Sequence, residues 1–143
     1  MTEKPTQRDY ELLHEFRYAI RRFLHFSENA ARAAGLDPQQ HQLLLTLKAR
    51  SHGKGVSIGE IAERLQIRHN SAVELVNRAE RRGLVRRAIS PSDRRQVLVD
   101  VTDEGARMLE ELSAVHLAEI RSVGPELVDV LRRLIATGGD AAS

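Results

Sequence analysis

Apolar residues recur at spacings of three and four through residues 8–34, where Tyr10, Leu13, Phe16, Ile20, Phe23 and Leu24 predict one long helix. Gly35 suits its end. Asp37-Pro38 suits the next start, with the aspartate as cap and the proline at the first helical position. Leu43, Leu44 and Leu47 mark a helix over 38–50, and "SHGKG" at 51–55 reads as a loop. Ser57 and Glu60 have the S-x-x-E spacing of a capping box. Ile58, Ile61, Ala62 and Leu65 then fall at i, i+3, i+4 and i+7, which predicts a short helix over 58–65. After the polar turn "QIRHNS", Ala72, Leu75, Val76 and Ala79 form the apolar stripe of a helix over 69–82, and Gly83 fits the position beyond its end.

The period then changes. Two apolar runs predict strands over 84–88 and 96–101, around a loop holding Pro91 and Asp93. Thr102 suits the cap of a further helix, with Asp103 and Glu104 favourable in its first turn. That helix is expected to reach residue 122 and Gly124-Pro125 to break it. Leu127, Val128, Leu131, Leu134 and Ile135 predict a last helix ended by Gly138-Gly139, with "DAAS" frayed. Two short helices joined by a tight turn are a helix-turn-helix pattern. A lone hairpin is marginal in water, so this one is expected to pack on that motif as a wing. The fold class is therefore mainly α with a small β-hairpin wing, in a single domain over residues 1–143.

Charge sharpens this picture. The net charge is +2, yet residues 64–95 hold nine arginines against three acids, while residues 96–143 hold four arginines against nine acids. A basic middle is the footprint of a polyanion partner. Aromatics are 3% of the chain, so the core must be aliphatic, and the absence of cysteine excludes disulfides and thiolate metal sites. No run approaches the ~20 apolar residues of a membrane helix. "MTEKPTQRDYELL" lacks the apolar core of a secretory signal, so the expectation is a cytoplasmic protein with no membrane partner. No G-x-S-x-G or H-E-x-x-H occurs, and "HGKGVS" lacks the upstream glycine of a phosphate loop. No catalysis and no cofactor are expected.

On the outer face of the 69–82 helix lie Asn70, Glu74, Asn77 and Arg81, flanked by Ser71 and Arg78. Asn70 and Asn77 can donate and accept on an adenine edge, and Glu74 either accepts from a cytosine amino group or pairs with Arg78. His69 and Ser71 can reach phosphates or bases. Arg78, Arg81 and Arg82 suit phosphates or ion pairs with Glu80. Arg86 and Arg87 point to opposite faces of a strand, so only one can face a duplex easily. The hairpin arginines suit a minor groove, where negative potential is concentrated. The stripes Leu12, Leu13, Phe16, Ile20 and Leu127, Leu131, Leu134, Ile135 would be exposed patches on a monomer, which points to an interface.

The stretch "IGEIAERLQIRHNSAVELVNRAERRGLVRRAISPSDRRQVLVDVTDEG" resembles the winged helix-turn-helix of the MarR family of bacterial transcriptional regulators, in its "GLVRR", its D-x-R and its "VTDEG". The resemblance implies a homodimer on double-stranded DNA that reads a pseudo-palindromic operator, most often as a repressor. Residues 8–34 and 103–137 would be dimerisation helices around a DNA-binding region at 38–101. Arg68 to Arg78 would be the recognition segment. Asp93 and Arg95 would pair to hold the wing loop, and Arg94 would probe the minor groove. Arg68 departs from the small capping residue of many relatives, and Ala79 from their leucine. Many relatives release DNA on binding small aromatic or phenolic ligands, for which Tyr10, Arg17 and His41 are the candidate lining groups. Some relatives sense zinc through histidines near the places of His41 and His116, but the second histidine of the later helix is replaced by Leu112, and no metal site is assigned. The alternatives are a winged module for an acidic protein partner and a metal-responsive regulator.

Overall fold

The computed structural model describes residues 3–140. Their order is α1 (Gln7–Ala33), α2 (Pro38–Arg50), β1 (Val56–Ser57), α3 (Ile58–Leu65), α4 (His69–Arg81), β2 (Val85–Ile89), β3 (Val97–Val101) and α5 (Asp103–Asp140). The described residues fall into two compact units. One comprises residues up to Asn29 with those from Ala114 onward, and the other is Ala30–Ser113.

In the second unit the core is aliphatic. Leu43, Leu44 and Leu47 of α2 are fully buried with Ile61, Leu75, Val76, Leu84 and Val99. Local chemistry sets the element ends. Gly35 takes a left-handed φ of 84°, its N–H donates to the Arg32 carbonyl, and the Leu36 N–H donates to the Ala31 carbonyl, closing α1 with a Schellman turn. Asp37 then accepts from the Gln39 N–H, while the Gln40 side chain accepts from the Asp37 N–H at 3.2 Å. Ser57 Oγ accepts from the Glu60 N–H and starts α3.

The sheet has three antiparallel strands in the order β1-β3-β2, with Val56 opposite Val99 and Val85 opposite Val101. The expected two-stranded hairpin is thus extended by β1. Two residues are too short to show a period, and Ser57 reads as a cap because it also is one. Gly55 makes the approach possible: it has a φ of 85°, and a Cβ there would lie 2.8 Å from the Leu98 Cβ.

Helix α5 starts where Thr102 accepts from the Gly105 N–H at 3.1 Å, and Thr102 Oγ1 donates to the Gly83 carbonyl at 2.6 Å. Gly105 is needed because a Cβ there would fall on the Leu84 carbonyl oxygen. The break expected at Gly124-Pro125 does not occur, and α5 is one helix with Pro125 inside it. Two causes are visible. Gly124 has no Cβ to clash with the proline ring. The apolar positions Ile120, Val123, Leu127, Val130 and Leu134 also stay in helical register across the proline. The helix also passes Gly138-Gly139, since glycine in a helix costs only about 1 kcal/mol. Of "DAAS", expected to be frayed, Asp140 is the last residue of α5, and residues 141–143 lie outside the described residues.

In the first unit Thr6 and Asp9 cap α1 reciprocally, and Leu12 is buried. His116 Nε2 lies 2.7 Å from the buried Ser27 Oγ, and the rings of Phe23 and Phe26 meet the imidazole edge-on. No described helix is long and apolar enough to cross a membrane.

Candidate nucleic-acid interface

Helices α3 and α4 are joined by a tight turn. Gln66 takes a left-handed φ of 54°, and the Ile67 N–H donates to the Ala62 carbonyl, so the chain reverses with its backbone satisfied. Helix α4 buries Ala72, Leu75, Val76 and Ala79. That burial forces the other side outward. Arg68, His69, Asn70, Ser71, Glu74, Arg78 and Arg81 are exposed, and Asn77 is half-buried beside them. The structure therefore places Asn70, Ser71, Glu74, Asn77, Arg78 and Arg81 on the outward face of α4, with Arg68 and His69 exposed at its start. Arg68 occupies the cap position and makes no side-chain capping bond.

Several charged groups are used differently from the sequence expectation. Among the described residues Glu74 and Arg78 form no ion pair. Glu80 instead meets Arg87 of β2, with Oε1 3.4 Å from Nε. Arg82 donates to the Gln40 Oε1 at 2.7 Å and to the Gly35 carbonyl at 2.6 Å. It is a clamp between the end of α4 and the α1–α2 corner, rather than a phosphate contact or a partner of Glu80.

The wing loop is held mainly by backbone bonds. The Ser90 N–H donates to the Gln96 carbonyl, and the Gln96 N–H donates to the Asp93 carbonyl. Buried Ser90 accepts from the Asp93 N–H at 3.3 Å, and Asp93 Oδ1 accepts from the Arg95 N–H at 3.0 Å. The Asp93–Arg95 side-chain pair is 3.6 Å apart, with the arginine 94% exposed, so solvent screens it and it adds little. Ser90 was missed by sequence reasoning, although a serine three residues before an aspartate in a Pro-containing turn is a signal for such a side-chain cap. Arg94 at the tip is exposed. Arg86 lies opposite Asp100 and Arg87 opposite Val99, so the two arginines take opposite faces of the sheet.

Tyr10 and Arg17 are exposed on α1 in the first unit, while His41 is buried on α2 in the second. A groove of about 860 Å³ in the first unit is lined by Tyr18, Phe23, Phe26, Ile120, Val123 and Leu127, with Arg21, Arg22, His25, Glu119 and Glu126 among its charged or polar groups. Tyr10, Arg17 and His41 are not among its lining residues. Among the described residues no group of three or more His, Asp or Glu is placed to hold a metal ion.

Residues 34–96, which contain the whole helix-turn-helix and most of the wing, match the MarR family. That match covers 63 of the 143 residues. The chain is 34% identical over 80 residues to the HTH-type transcriptional repressor MdtR of Bacillus subtilis, a match covering 56% of this chain and 50% of MdtR. The matched region thus spans half the length of that relative. AbsC, a MarR family transcriptional regulator of Streptomyces coelicolor, has the same fold, with a TM-score of 0.77 and 22% identity over 99% of this chain and 97% of AbsC. CouR of Rhodococcus jostii, solved bound to p-coumaroyl-CoA, superposes with a TM-score of 0.62 at 27% identity, over 78% of this chain and 82% of CouR. In the winged helix-turn-helix fold, α4 is the second helix of the motif and the β2–β3 loop is the wing.

Proposed function

We propose that this chain is a sequence-specific DNA-binding transcriptional regulator of the MarR family that works in the cytoplasm as a homodimer. The observation that carries the reading is the two-sidedness of α4. An apolar stripe locks it to the core, and the exposed side carries Asn70, Ser71, Glu74 and Asn77 among cations. The small amides and the hydroxyl suit base edges, whereas Arg68, His69, Arg78 and Arg81 suit phosphates. Arg94, at the tip of a loop ordered by Ser90 and Asp93, enters the minor groove.

A second copy is supported by the first unit. All the exposed large hydrophobic side chains among the described residues lie there except Leu45 and Ile89. A twofold dimer sets two recognition helices about 34–36 Å apart on a pseudo-palindrome. The name of MdtR favours repression, and the ligand of CouR favours release by an aromatic or phenolic compound.

Selection of sites from random duplex DNA, followed by titration at two salt concentrations, tests the reading. A pseudo-palindrome with half-sites about one turn apart is the expected result. Affinity without any preferred sequence overturns it and leaves a basic winged surface for an acidic protein. For the effector, calorimetry with aromatic acids should show heat together with release of the selected duplex, and the absence of both removes the ligand from the proposal.

A further inference from the structure

We infer that Glu74 selects a cytosine in each operator half-site, a reading that rests on the DNA-binding function proposed above. The arginine-rich segment 64–95 contains three acids, Glu74, Glu80 and Asp93. Two have structural work. Glu80 meets Arg87 of β2 at 3.4 Å, and Asp93 accepts from the Arg95 N–H inside the wing loop. Glu74 has no such task. It is exposed, and among the described residues it forms no ion pair, although Arg78 is one turn away on the same helix. At 3.6 residues per turn, Asn70, Ser71, Glu74, Asn77, Arg78 and Arg81 occupy an arc of about 120°, with Glu74 at its midpoint. The carboxylate therefore stands at the centre of the surface that meets the groove.

A carboxylate there repels the phosphate backbone and lowers affinity for DNA in general. It is compensated only where a hydrogen-bond donor on a base edge meets it. In the major groove the donors are the amino groups of cytosine and adenine. Adenine sets its N7 acceptor beside the amino group, which suits an amide such as Asn70 or Asn77 and repels a carboxylate. Cytosine offers the N4 amino group with no acceptor of its own beside it. Glu74 thus acts in two ways: it accepts from cytosine at the correct site and repels every other sequence. Such a device separates specific from non-specific binding more than it raises affinity.

The experiment compares binding-site selection by the full-length wild type, Glu74→Gln and Glu74→Ala. The best wild-type duplex and its single C·G-to-T·A replacement are then titrated with all three. Wild type should prefer the cytosine duplex by about 5- to 150-fold, the range for one good base contact. Both variants should lose that preference at that position alone, keep the rest of the site, and bind random duplex more tightly than wild type. A wild-type site in which no cytosine preference responds to position 74 overturns the assignment of Glu74 and leaves the regulator reading standing. A wild type that selects no site overturns both.

Discussion

Arg82 and Arg94 carry the same guanidinium in unlike settings. At Arg82 both terminal nitrogens are committed, one to Gln40 and one to the Gly35 carbonyl. At Arg94 the group stands on the exposed tip of a loop whose shape is set by Ser90, Asp93 and Gln96. Arg82→Ala should therefore cost stability, about 1.5–3 kcal/mol for bonds to a charged donor, read as a lower urea midpoint. Arg82→Lys should recover only part of this, because one ammonium cannot match the fork. Arg94→Ala should leave the urea midpoint unchanged, weaken DNA binding, and reduce the slope of log affinity against log salt by about one unit. An unchanged slope would remove Arg94 from the wing contact. Gly105→Ala tests a residue that works through its missing atom: its Cβ would strike the Leu84 carbonyl. The expected loss is about 1–3 kcal/mol, the usual range for overpacking, again by denaturation.

At the scale of elements, α5 is the case where local rules and the fold disagree. Pro125 removes one backbone donor, yet the helix continues through it. Replacing it with alanine restores the bond to the Arg121 carbonyl. In an exposed helix interior proline is about 3 kcal/mol worse than alanine, and part of that is offset by the stiffer unfolded chain. Pro125→Ala should thus stabilise the protein by about 2 kcal/mol, and a lower midpoint would mean that the helix is distorted there for a packing reason. The first turns of α5 carry a different device. Arg107 donates to Glu104 at 2.6 Å and to Glu111 at 3.1 Å. The hydrogen bond from Arg107 is the main cause that holds the Glu104 carboxyl below its ordinary range. Because the folded value is the lower one, this support is complete above the ordinary carboxylate value and disappears as pH falls through the lowered one. The pair is solvent-exposed, so its loss should show only as a shallow acid-side decline in stability that high salt reduces.

For the molecule as a whole, the question is what covers the apolar side chains of the first unit. Ile135 is 75% exposed, and Val128 and Leu131 lie on the same helix. Ile135→Asp should leave the helical circular dichroism intact and shift the protein toward monomer in sedimentation. Its DNA affinity should fall, because a single half-site offers fewer contacts. A variant that remains dimeric would place the interface elsewhere on the chain.

Most of the helices and both wing strands follow from local sequence. Capping residues, glycines and apolar periods act within a few residues of one another, and that is the range over which Asp37, Ser57, Gly83 and Thr102 do their work. The polar face of α4 was legible for the same reason, since a buried stripe at Ala72, Leu75, Val76 and Ala79 obliges the remaining positions to face outward. The rest depends on contacts between segments distant along the chain. Strand β1 exists because β3 lies beside it, and Gly105 matters because the Leu84 carbonyl comes to it from another part of the chain. The partners of the charges belong here too. Nothing in the order of residues says that Arg82 will close on Gly35 and Gln40, that Glu80 will take Arg87, or that Glu74 will form no ion pair among the described residues. An ion pair depends on distances set by how elements pack, and spacing along one helix shows only the pairs that are near in sequence.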